Sequence, residues 1–228
     1  MDNFNYNIIE PGYYDEIINQ NNIRSNWHKY KFEFVKSKLI GNNILDIGCG
    51  PGTFLGRYCQ NFKSTGYDLI SSQINYAKQK YPNAKFVTNI DHIENQKFDN
   101  ITLIELVEHL DKKYTIELLK SLIKFLKRDS QIIITTPNYR SLWPVLEIIL
   151  DYKSKMNYRE QHIQHFNINK INILASQIDL ELIESGTLNA IDPFLIFKTQ
   201  FEKSSIYEKF INKLKLGFLC YGIFKKKY

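Results

Sequence analysis

The sequence predicts one α/β domain built on a mostly parallel β-sheet. Short apolar runs typical of buried strands alternate with stretches of helical periodicity along most of the chain. The first such strand, Ile44–Ile47, leads into a glycine-rich turn and then into a helix. Alternation of this kind forms a parallel sheet through right-handed crossovers. Because 228 residues suffice for one domain, we expect a helical cap (1–41), a first half of the sheet (42–137) and a second half (138–228).

The predicted elements follow the chain in a regular order. Between Tyr13 and Ile40, apolar residues recur near helical spacing, and a Gly-Asn-Asn stretch ends this run. After the first strand, an apolar stripe from Phe54 to Phe62 predicts a helix. The remaining predictions are a strand (64–68), a helix capped by Ser71 and ending at Tyr81, strands at 84–88 and 101–104, a helix (114–126), a strand (132–135), an apolar insertion (139–160), a helix (169–176), a strand (180–188), a helix (204–215) and a last strand (217–224).

The insertion at 139–160 is unusually apolar for a connection and includes Trp143. At the carboxyl end of a sheet, such a segment is either a lid over a substrate or a helix packed on the rim. The sequence leaves both interpretations open.

Composition limits the partners and the compartment. The formal charge of +6 and the pI near 9.0 allow an acidic partner, but the lysines are dispersed and no basic run is interleaved with aromatic residues. We therefore expect no nucleic-acid partner. Cys49, Cys59 and Cys220 form no C-x-x-C pair, which favours a reduced compartment and excludes a thiolate metal site.

The two ends of the chain bear on localisation. The first residues lack the basic start and apolar middle of a signal peptide, and no apolar stretch is long enough to span a bilayer, so we predict a cytoplasmic protein. Leu216–Phe224 is apolar and is followed by Lys225–Lys227. We favour a buried last strand with a solvated basic end; the alternative is an interfacial anchor that makes weak contact with a membrane surface.

The turn after the first strand predicts a ligand site. Gly48, Gly50 and Gly52 are spaced G-x-G-x-G, which differs from the G-x-G-x-x-G of dinucleotide-binding folds. Asp46 would repel a pyrophosphate but attract the ammonium group of an amino acid. Asp68 ends the next strand, where an acid accepts hydrogen bonds from ribose hydroxyls. Together these features indicate a nucleoside that carries an amino acid.

On these residues the chain resembles the class I S-adenosylmethionine (SAM) dependent methyltransferases. The likeness covers Asp46–Gly52, Asp68, Phe98–Leu110 and Ile132–Asn138, about the first two thirds of the chain. It implies a Rossmann-like seven-stranded sheet of order 3-2-1-4-5-7-6, with helices on both faces and the last strand antiparallel. The nearest branch is that of ubiquinone-biosynthesis-like O-methyltransferases.

The resemblance also assigns contacts. It implies that Asp46 and Asp68 anchor the two ends of SAM, and that residues just beyond the third strand contact the adenine, although Asn89 stands where relatives often carry an acid. The expected cofactor contacts are Asp46, Gly48, Cys49, Gly50, Gly52, Asp68, Leu69, Asn89, Ile90 and Glu105. In relatives a helical cap covers the substrate, so the candidate substrate contacts are Tyr13, Tyr14, Trp27, His28 and Trp143.

Glu105, Glu108 and His109 follow the fourth strand and are the candidate catalytic residues. Their spacing of three and four residues puts them on one face if the segment is helical. Glu-x-x-Glu-His with a later histidine is similar to the pattern of metal-dependent O-methyltransferases, in which Mg²⁺ or Mn²⁺ acidifies the acceptor hydroxyl. The resemblance therefore implies a metal site completed by His162, with His165 as second choice.

Several functions remain open at this stage. Methyl transfer from a sulfonium needs positioning and a lone pair more than a universal catalytic residue. We expect transfer to a hydroxyl of a small molecule, a sugar or a lipid-linked precursor; the alternatives are N-methylation, and metal-free O-methylation with His109 as the base. A nucleotide-dependent oxidoreductase is disfavoured by Asp46 and the glycine spacing. A catalytically silent scaffold or peripheral membrane protein is the non-enzyme alternative.

Overall fold

The computed structural model describes residues 10–153, 158–194 and 206–226. Within these ranges the strands form one seven-stranded sheet of order β3-β2-β1-β4-β5-β7-β6, which confirms the predicted order. The strands are β1 (Asn43–Ile47), β2 (Lys63–Tyr67), β3 (Lys85–Val87), β4 (Phe98–Ile104), β5 (Leu126–Pro137), β6 (Leu180–Leu188) and β7 (Leu219–Lys226). All neighbours pair in parallel except β7, which is antiparallel to both β5 and β6.

Helices cover both faces of this sheet. They are α1 (Tyr13–Asn19), α2 (Ile23–Ser37), α3 (Thr53–Tyr58), α4 (Ser71–Lys80), α5 (Lys112–Leu122), α6 (Trp143–Lys153), α7 (Tyr158–Gln161), α8 (Ile168–Gln177) and α9 (Ile206–Lys213). Successive side chains of a strand point to opposite faces. Thus Leu45 packs with Leu119 of α5 and Leu174 of α8 in one cluster, whereas Ile44 packs with Val35 of α2 in the other.

The cap consists of two helices where the sequence predicted one helical run from Tyr13 to Ile40. The run breaks after α1, because the side chain of Asn22 caps α2 by accepting a hydrogen bond from the Ser25 amide at 2.9 Å. An asparagine at this position satisfies an amide that the helix itself cannot. The correction divides the cap into a short outer helix and a long inner one.

A buried carboxylate fastens α1 to the rest of the domain. Asp15 is 1% exposed and accepts hydrogen bonds from Arg57 Nε at 2.7 Å and from the Tyr76 hydroxyl at 3.0 Å. The Tyr81 hydroxyl also donates to it. Burial raises the pKa of Asp15, but the hydrogen bonds from Arg57 and Tyr81 outweigh this and hold the pKa below its usual value. Asp15 therefore joins the cap to α3 and α4.

Smaller corrections concern where elements begin. Leu126, predicted in a helix, starts β5, because α5 ends at Leu122 and only a short 3₁₀ turn follows. Ser71 is the first residue of α4 and makes no capping hydrogen bond. The cap of α8 is Asn167, which accepts from the Lys170 amide at 3.1 Å. Residues 204 and 205, included in the helix predicted over 204–215, lie outside the described residues.

The apolar end of the chain forms β7, inside the sheet. Leu219, Cys220 and Phe224 are fully buried, so these side chains are not available to a membrane surface. This is the buried strand that we favoured; Lys227 lies outside the described residues. Among the described helices, none is both long and apolar enough to cross a membrane.

Candidate active site

A cavity of about 1300 Å³ lies at the carboxyl ends of the parallel strands. Its lining includes Asp46 of β1, Asp68 after β2, Glu105 after β4 and Pro137 of β5. In open α/β sheets this edge is where ligands bind. Because typical ligand pockets measure about 300–1000 Å³, the cavity has room for a cofactor and a second molecule together.

The glycine turn needs its glycines for two different reasons. Gly48, Gly50 and Gly52 all have left-handed backbone conformations, with φ of 72°, 51° and 74°, which side chains rarely adopt. A Cβ atom at Gly52 would lie 2.6 Å from the Phe86 ring, whereas one at Gly50 would meet nothing within 4 Å. Gly52 thus permits close packing of α3, and Gly50 leaves open space beside the cavity.

Asp68 is held by the backbone of two turns. Its two carboxylate oxygens accept hydrogen bonds from the Gly50 amide and the Ile70 amide, each at 2.8 Å. Burial raises the pKa of Asp68, and these amide hydrogen bonds oppose that rise. The carboxylate therefore has a fixed position at the cavity wall, and it ties the glycine turn to the end of β2.

Asp46 is a buried acid that one hydroxyl stabilises. It is 3% exposed and accepts a hydrogen bond from the Thr102 hydroxyl at 2.6 Å. Burial raises the pKa of Asp46 to about 7, while the bond from Thr102 opposes the rise. A carboxylate in this state binds a cation strongly, because a positive partner removes the penalty of burying its charge.

Glu105 connects the cap to the sheet. Lys31 of α2, which is 2% exposed, forms an ion pair with the Glu105 carboxylate. Glu105 itself has a φ of 51°, rare for a residue with a side chain, and its amide donates to the Thr135 carbonyl at 2.9 Å. Lys31 also lies 3.3 Å from Nδ1 of His28. Lys31 carries no signal in the sequence, since an isolated lysine on a helix is usually solvated.

Glu108, His109 and His162 come together beside the cavity. Each offers one ligand atom, and these atoms lie within 4.8 Å of one another. The structure thus unites three of the four predicted metal ligands, while Glu105 pairs with Lys31. The second-choice histidine, His165, is exposed and stacks on the Tyr139 ring at 4.0 Å.

Glu108 is a buried carboxyl group with unused acceptor capacity. It is 1% exposed, and no donor of the described residues meets hydrogen-bond geometry with its Oε2. Burial raises the pKa of Glu108 to about 7, although the nearby His162 opposes this. Such an oxygen either carries a proton or faces a ligand that supplies positive charge.

The two histidines are each oriented through Nδ1. His109 Nδ1 lies 3.0 Å from the Gln161 carbonyl, which only accepts, so Nδ1 carries the hydrogen and Nε2 keeps its lone pair. Burial lowers the pKa of His109 to about 4. His162 Nδ1 lies 2.5 Å from Glu147 Oε1. Burial lowers the pKa of His162, but Glu147 and Glu108 more than compensate, and the pKa is raised.

Aromatic residues from the cap, the insertion and the turn after β6 form an aromatic wall of the cavity. The rings of Trp27 and Trp143 lie 5.7 Å apart, and Phe194 packs edge-on against Trp27 at 6.1 Å. Tyr14 and His28 also line the cavity. Four of the five candidate substrate contacts therefore lie together, and Phe194 joins them without a signal in the sequence.

Outside the described cavity lining lie four candidate residues: Tyr13, Gly52, Asn89 and Ile90. The Tyr13 hydroxyl accepts a hydrogen bond from Arg24 at 2.7 Å. Asn89 caps the 3₁₀ turn that begins at Ile90, with its side chain accepting from the Asp91 amide at 2.9 Å. The other candidate cofactor contacts within the lining are Gly48, Cys49, Gly50 and Leu69. Gly52, one residue before α3, lies outside the lining.

Comparison with known families identifies the class of protein. Residues 20–185 match the family described as "Methyltransferase domain", and the chain belongs to this family. The predicted enzyme class, a SAM-dependent methyltransferase, is confirmed.

Two solved structures illustrate the shared fold. A possible histamine N-methyltransferase from Thermotoga maritima superposes with a TM-score of 0.69 at 16% identity, covering 94% of each chain. The plantazolicin methyltransferase BpumL, in complex with SAH, gives a TM-score of 0.63 at 20% identity, covering 96% of this chain and 92% of the other.

A curated relative shares part of the sequence. Sphingolipid C9-methyltransferase 1 of Gibberella zeae is 25% identical over 120 residues, which cover 48% of this chain and 23% of that protein. The chain therefore spans under a quarter of that relative's length.

Proposed function

We propose that this methyltransferase transfers the methyl group of SAM to a hydroxyl of an acceptor that has an apolar body, with a divalent cation at Glu108, His109 and His162. One observation carries the proposal. A single cavity runs from the Asp46 and Asp68 carboxylates to that polar cluster, and the aromatic wall lines it as well. Both reactants would therefore meet inside one cavity.

The cofactor contacts follow from charge and position. Asp46 is a buried acid whose pKa burial raises to about 7, so the ammonium group of SAM would stabilise its ionised form. Asp68 stands at the end of β2, with its carboxylate held by the amides of Gly50 and Ile70, and would accept hydrogen bonds from the ribose hydroxyls. The SAH in the BpumL structure supports this choice of cofactor.

The donor set at the cluster suits a divalent cation. His109 keeps a lone pair on Nε2, His162 offers one when its ring is neutral, and Glu108 Oε2 is buried and accepts no hydrogen bond from the described residues. Imidazole and carboxylate together suit ions such as Mg²⁺ and Mn²⁺. A bound ion would lower the pKa of an acceptor hydroxyl. The protein would contribute by orienting the side chains of Glu108, His109 and His162 and by excluding water.

The acceptor is best described by its chemistry. Trp27, Trp143 and Phe194 offer flat apolar surface, which suits an aromatic ring or a lipid-like chain. Acceptors that fit this wall are a small phenol, or a glycan or lipid-linked precursor that carries an aromatic ring or a lipid-like chain. Membership of the ubiquinone-biosynthesis-like branch and a cytoplasmic location stay predictions.

Metal-free catalysis is a second candidate, favoured by one observation. His109 lines the cavity, and the Gln161 carbonyl holds its Nδ1–H, so a proton would be accepted at Nε2. Burial lowers the pKa of His109 to about 4, so the ring is neutral at physiological pH and is a weak base. In this version His109 acts as the base for the acceptor hydroxyl, and Glu108 carries a proton. N-methylation would need neither group.

Titration tests the cofactor contacts, and turnover measurements distinguish metal-dependent from metal-free catalysis. We expect isothermal titration to show SAM binding to the wild-type protein and about 10–100-fold weaker binding to Asp68→Ala, since hydrogen bonds to a charged group contribute about 1.5–3 kcal/mol. Unchanged affinity in both Asp68→Ala and Asp46→Ala would reject the cofactor assignment. Titration with NAD is the matching negative control.

For the metal, turnover of phenolic, sugar-nucleotide and lipid-linked acceptors is measured with labelled SAM. We expect chelator to abolish turnover, and Mg²⁺ or Mn²⁺ to restore it. Full activity in excess chelator, with loss in His109→Ala, would select the metal-free base.

A further inference from the structure

Glu147 is a buried carboxylate to which the proposed chemistry assigns no role. It lies on α6, in the apolar insertion, and is 2% exposed. A charge at such a position is costly unless hydrogen bonds satisfy it. Three donors converge on its Oε1: the His162 ring at 2.5 Å, the Tyr139 hydroxyl at 2.7 Å and the Trp143 indole at 3.4 Å.

The contact with Glu147 fixes which nitrogen of His162 carries the hydrogen. The Trp143 indole only donates hydrogen bonds, and the Tyr139 hydroxyl donates to the same Oε1, so this oxygen is an acceptor in both contacts. An oxygen that accepts from these two groups carries no hydrogen of its own, so His162 Nδ1 donates to it at 2.5 Å. The Tyr139 hydroxyl, although 3.0 Å from His162 Nδ1, has its hydrogen on Glu147.

We propose that Glu147 is a positioning residue that holds His162 in the Nδ1–H tautomer and presents its Nε2 to Glu108 and His109. The proposal rests on the proposed function only for what Nε2 then binds. Carboxylates that hold the remote nitrogen of a ligating histidine orient the ring and raise its basicity. His109 has a backbone carbonyl in the same place, so both rings are oriented through Nδ1.

This role also links the insertion to the reaction. Glu147 and Trp143 lie one turn apart on α6, and Trp143 contacts Trp27 of the cap at 5.7 Å. The hydrogen bond to His162 forms only when α6 is docked against the cluster. The insertion therefore completes the site as well as covering it.

The first test reads the tautomer directly, without metal, cofactor or acceptor. The protein is labelled with ¹⁵N-histidine, and long-range ¹H–¹⁵N correlations are recorded at a pH above the titration of His162. His162→Asn assigns its signals among the five histidines. We expect the Nδ1–H form in the wild type, and a mixture or the Nε2–H form in Glu147→Ala.

Matched variants separate positioning from general damage. Tyr139→Phe removes another donor from Glu147 but leaves the contact with His162, so the Nδ1–H form should persist. Glu117→Gln removes an exposed carboxylate on α5 and should change nothing. If Glu147→Ala does not fold, Glu147→Gln serves instead, because its amide donates as well as accepts and should mix the tautomers.

The second test measures Mn²⁺ affinity by calorimetry in the same proteins. We expect about 10–100-fold weaker binding in Glu147→Ala, with unchanged SAM affinity. A wild-type protein that binds no Mn²⁺ would reject the metal in the proposed function, while the tautomer still decides the role of Glu147. An unchanged Nδ1–H tautomer in folded Glu147→Ala and Glu147→Gln would overturn the proposal.

Discussion

The two ends of the cavity are held in place by different kinds of bonds. At the glycine turn, Asp68 is fixed by two backbone amides and Asp46 by a hydroxyl on the adjacent strand. At the other end, the bonds join side chains of separate segments, as in Lys31 with Glu105. The first end is in place once the sheet has formed, whereas the second also needs the cap and the insertion to be docked.

The two kinds of bonds also differ in their free-energy cost. Backbone amides in a formed sheet are positioned without further loss of side-chain entropy. A buried ion pair such as Lys31 with Glu105 must recover the desolvation of two charges. We call the part of the cavity at Glu105, Glu108 and His109 the acceptor end, and the part at the glycine turn the cofactor end. The acceptor end is therefore expected to be more sensitive to single substitutions than the cofactor end.

The largest expected effect tests whether the two ends are independent. Glu108→Gln and His109→Ala should lower turnover by about 10²–10⁴-fold, the range for groups that move or stabilise a reacting proton. SAM affinity should stay within about twofold of the wild type, because neither residue touches the glycine turn. Methyl transfer and calorimetric titration on the same preparations give both values, and a parallel loss of SAM binding would contradict the separation.

The second-largest expected effect is on the free energy of unfolding of the protein without ligand, through Asp46. The pKa of Asp46 rises from 3.8 to about 7 on folding, so this group stabilises the fold at low pH, and that contribution is lost as the pH rises through 7. Asp46→Asn has no charge to bury and keeps an acceptor for Thr102. At about pH 8 it should raise the free energy of unfolding by on the order of 4 kcal/mol.

Urea unfolding at a series of pH values checks this prediction. The gain from Asp46→Asn should shrink as the pH falls from about 7 towards 4. Asp179→Asn, at an exposed position, is the matched control and should show no such trend. A gain that is independent of pH would mean that charge burial is not its cause.

The smallest effect tests the fastening of the cap. Asp15→Ala removes the acceptor of Arg57, Tyr76 and Tyr81 and should cost about 1–3 kcal/mol of stability. Hydrogen exchange should speed up in α1 before it does in β1. Asp15→Asn keeps acceptor capacity and should lose less; equal exchange in α1 for all three proteins would show that the cap is held by other contacts.

Local patterns were sufficient to place the glycine turn, Asp46 and Asp68 at one edge of the sheet. Ile44–Ile47 and the three glycines are contiguous, and Asp68 follows the next strand, so neighbouring parallel strands bring them together. Periodicity could not give the position of β7, which depends on pairing between distant segments; that came from the family resemblance. Leu126 was misassigned because apolar spacing continues from α5 through the 3₁₀ turn into β5.

The acceptor end could be predicted only in part. Glu105, Glu108 and His109 are close in sequence, and the resemblance supplied His162. Glu147 and Lys31 carry no local signal, since their importance comes from burial and from partners 15 and 74 residues away. Glu147 is the single acid within the apolar run Trp143–Leu150, and this is the available hint for its role.

The place of β7 has a consequence for how the domain assembles. Among the described strands, β6 pairs with β7 and with no other, and β7 also pairs with β5. A nascent chain that has emerged only as far as β6 therefore lacks the native partner of that strand. β6 can take its native place only after β7 has been made, in a late step that closes contacts between distant segments, and such contacts form slowly. Proteolytic loss of residues 219–226 would remove two strands from the sheet.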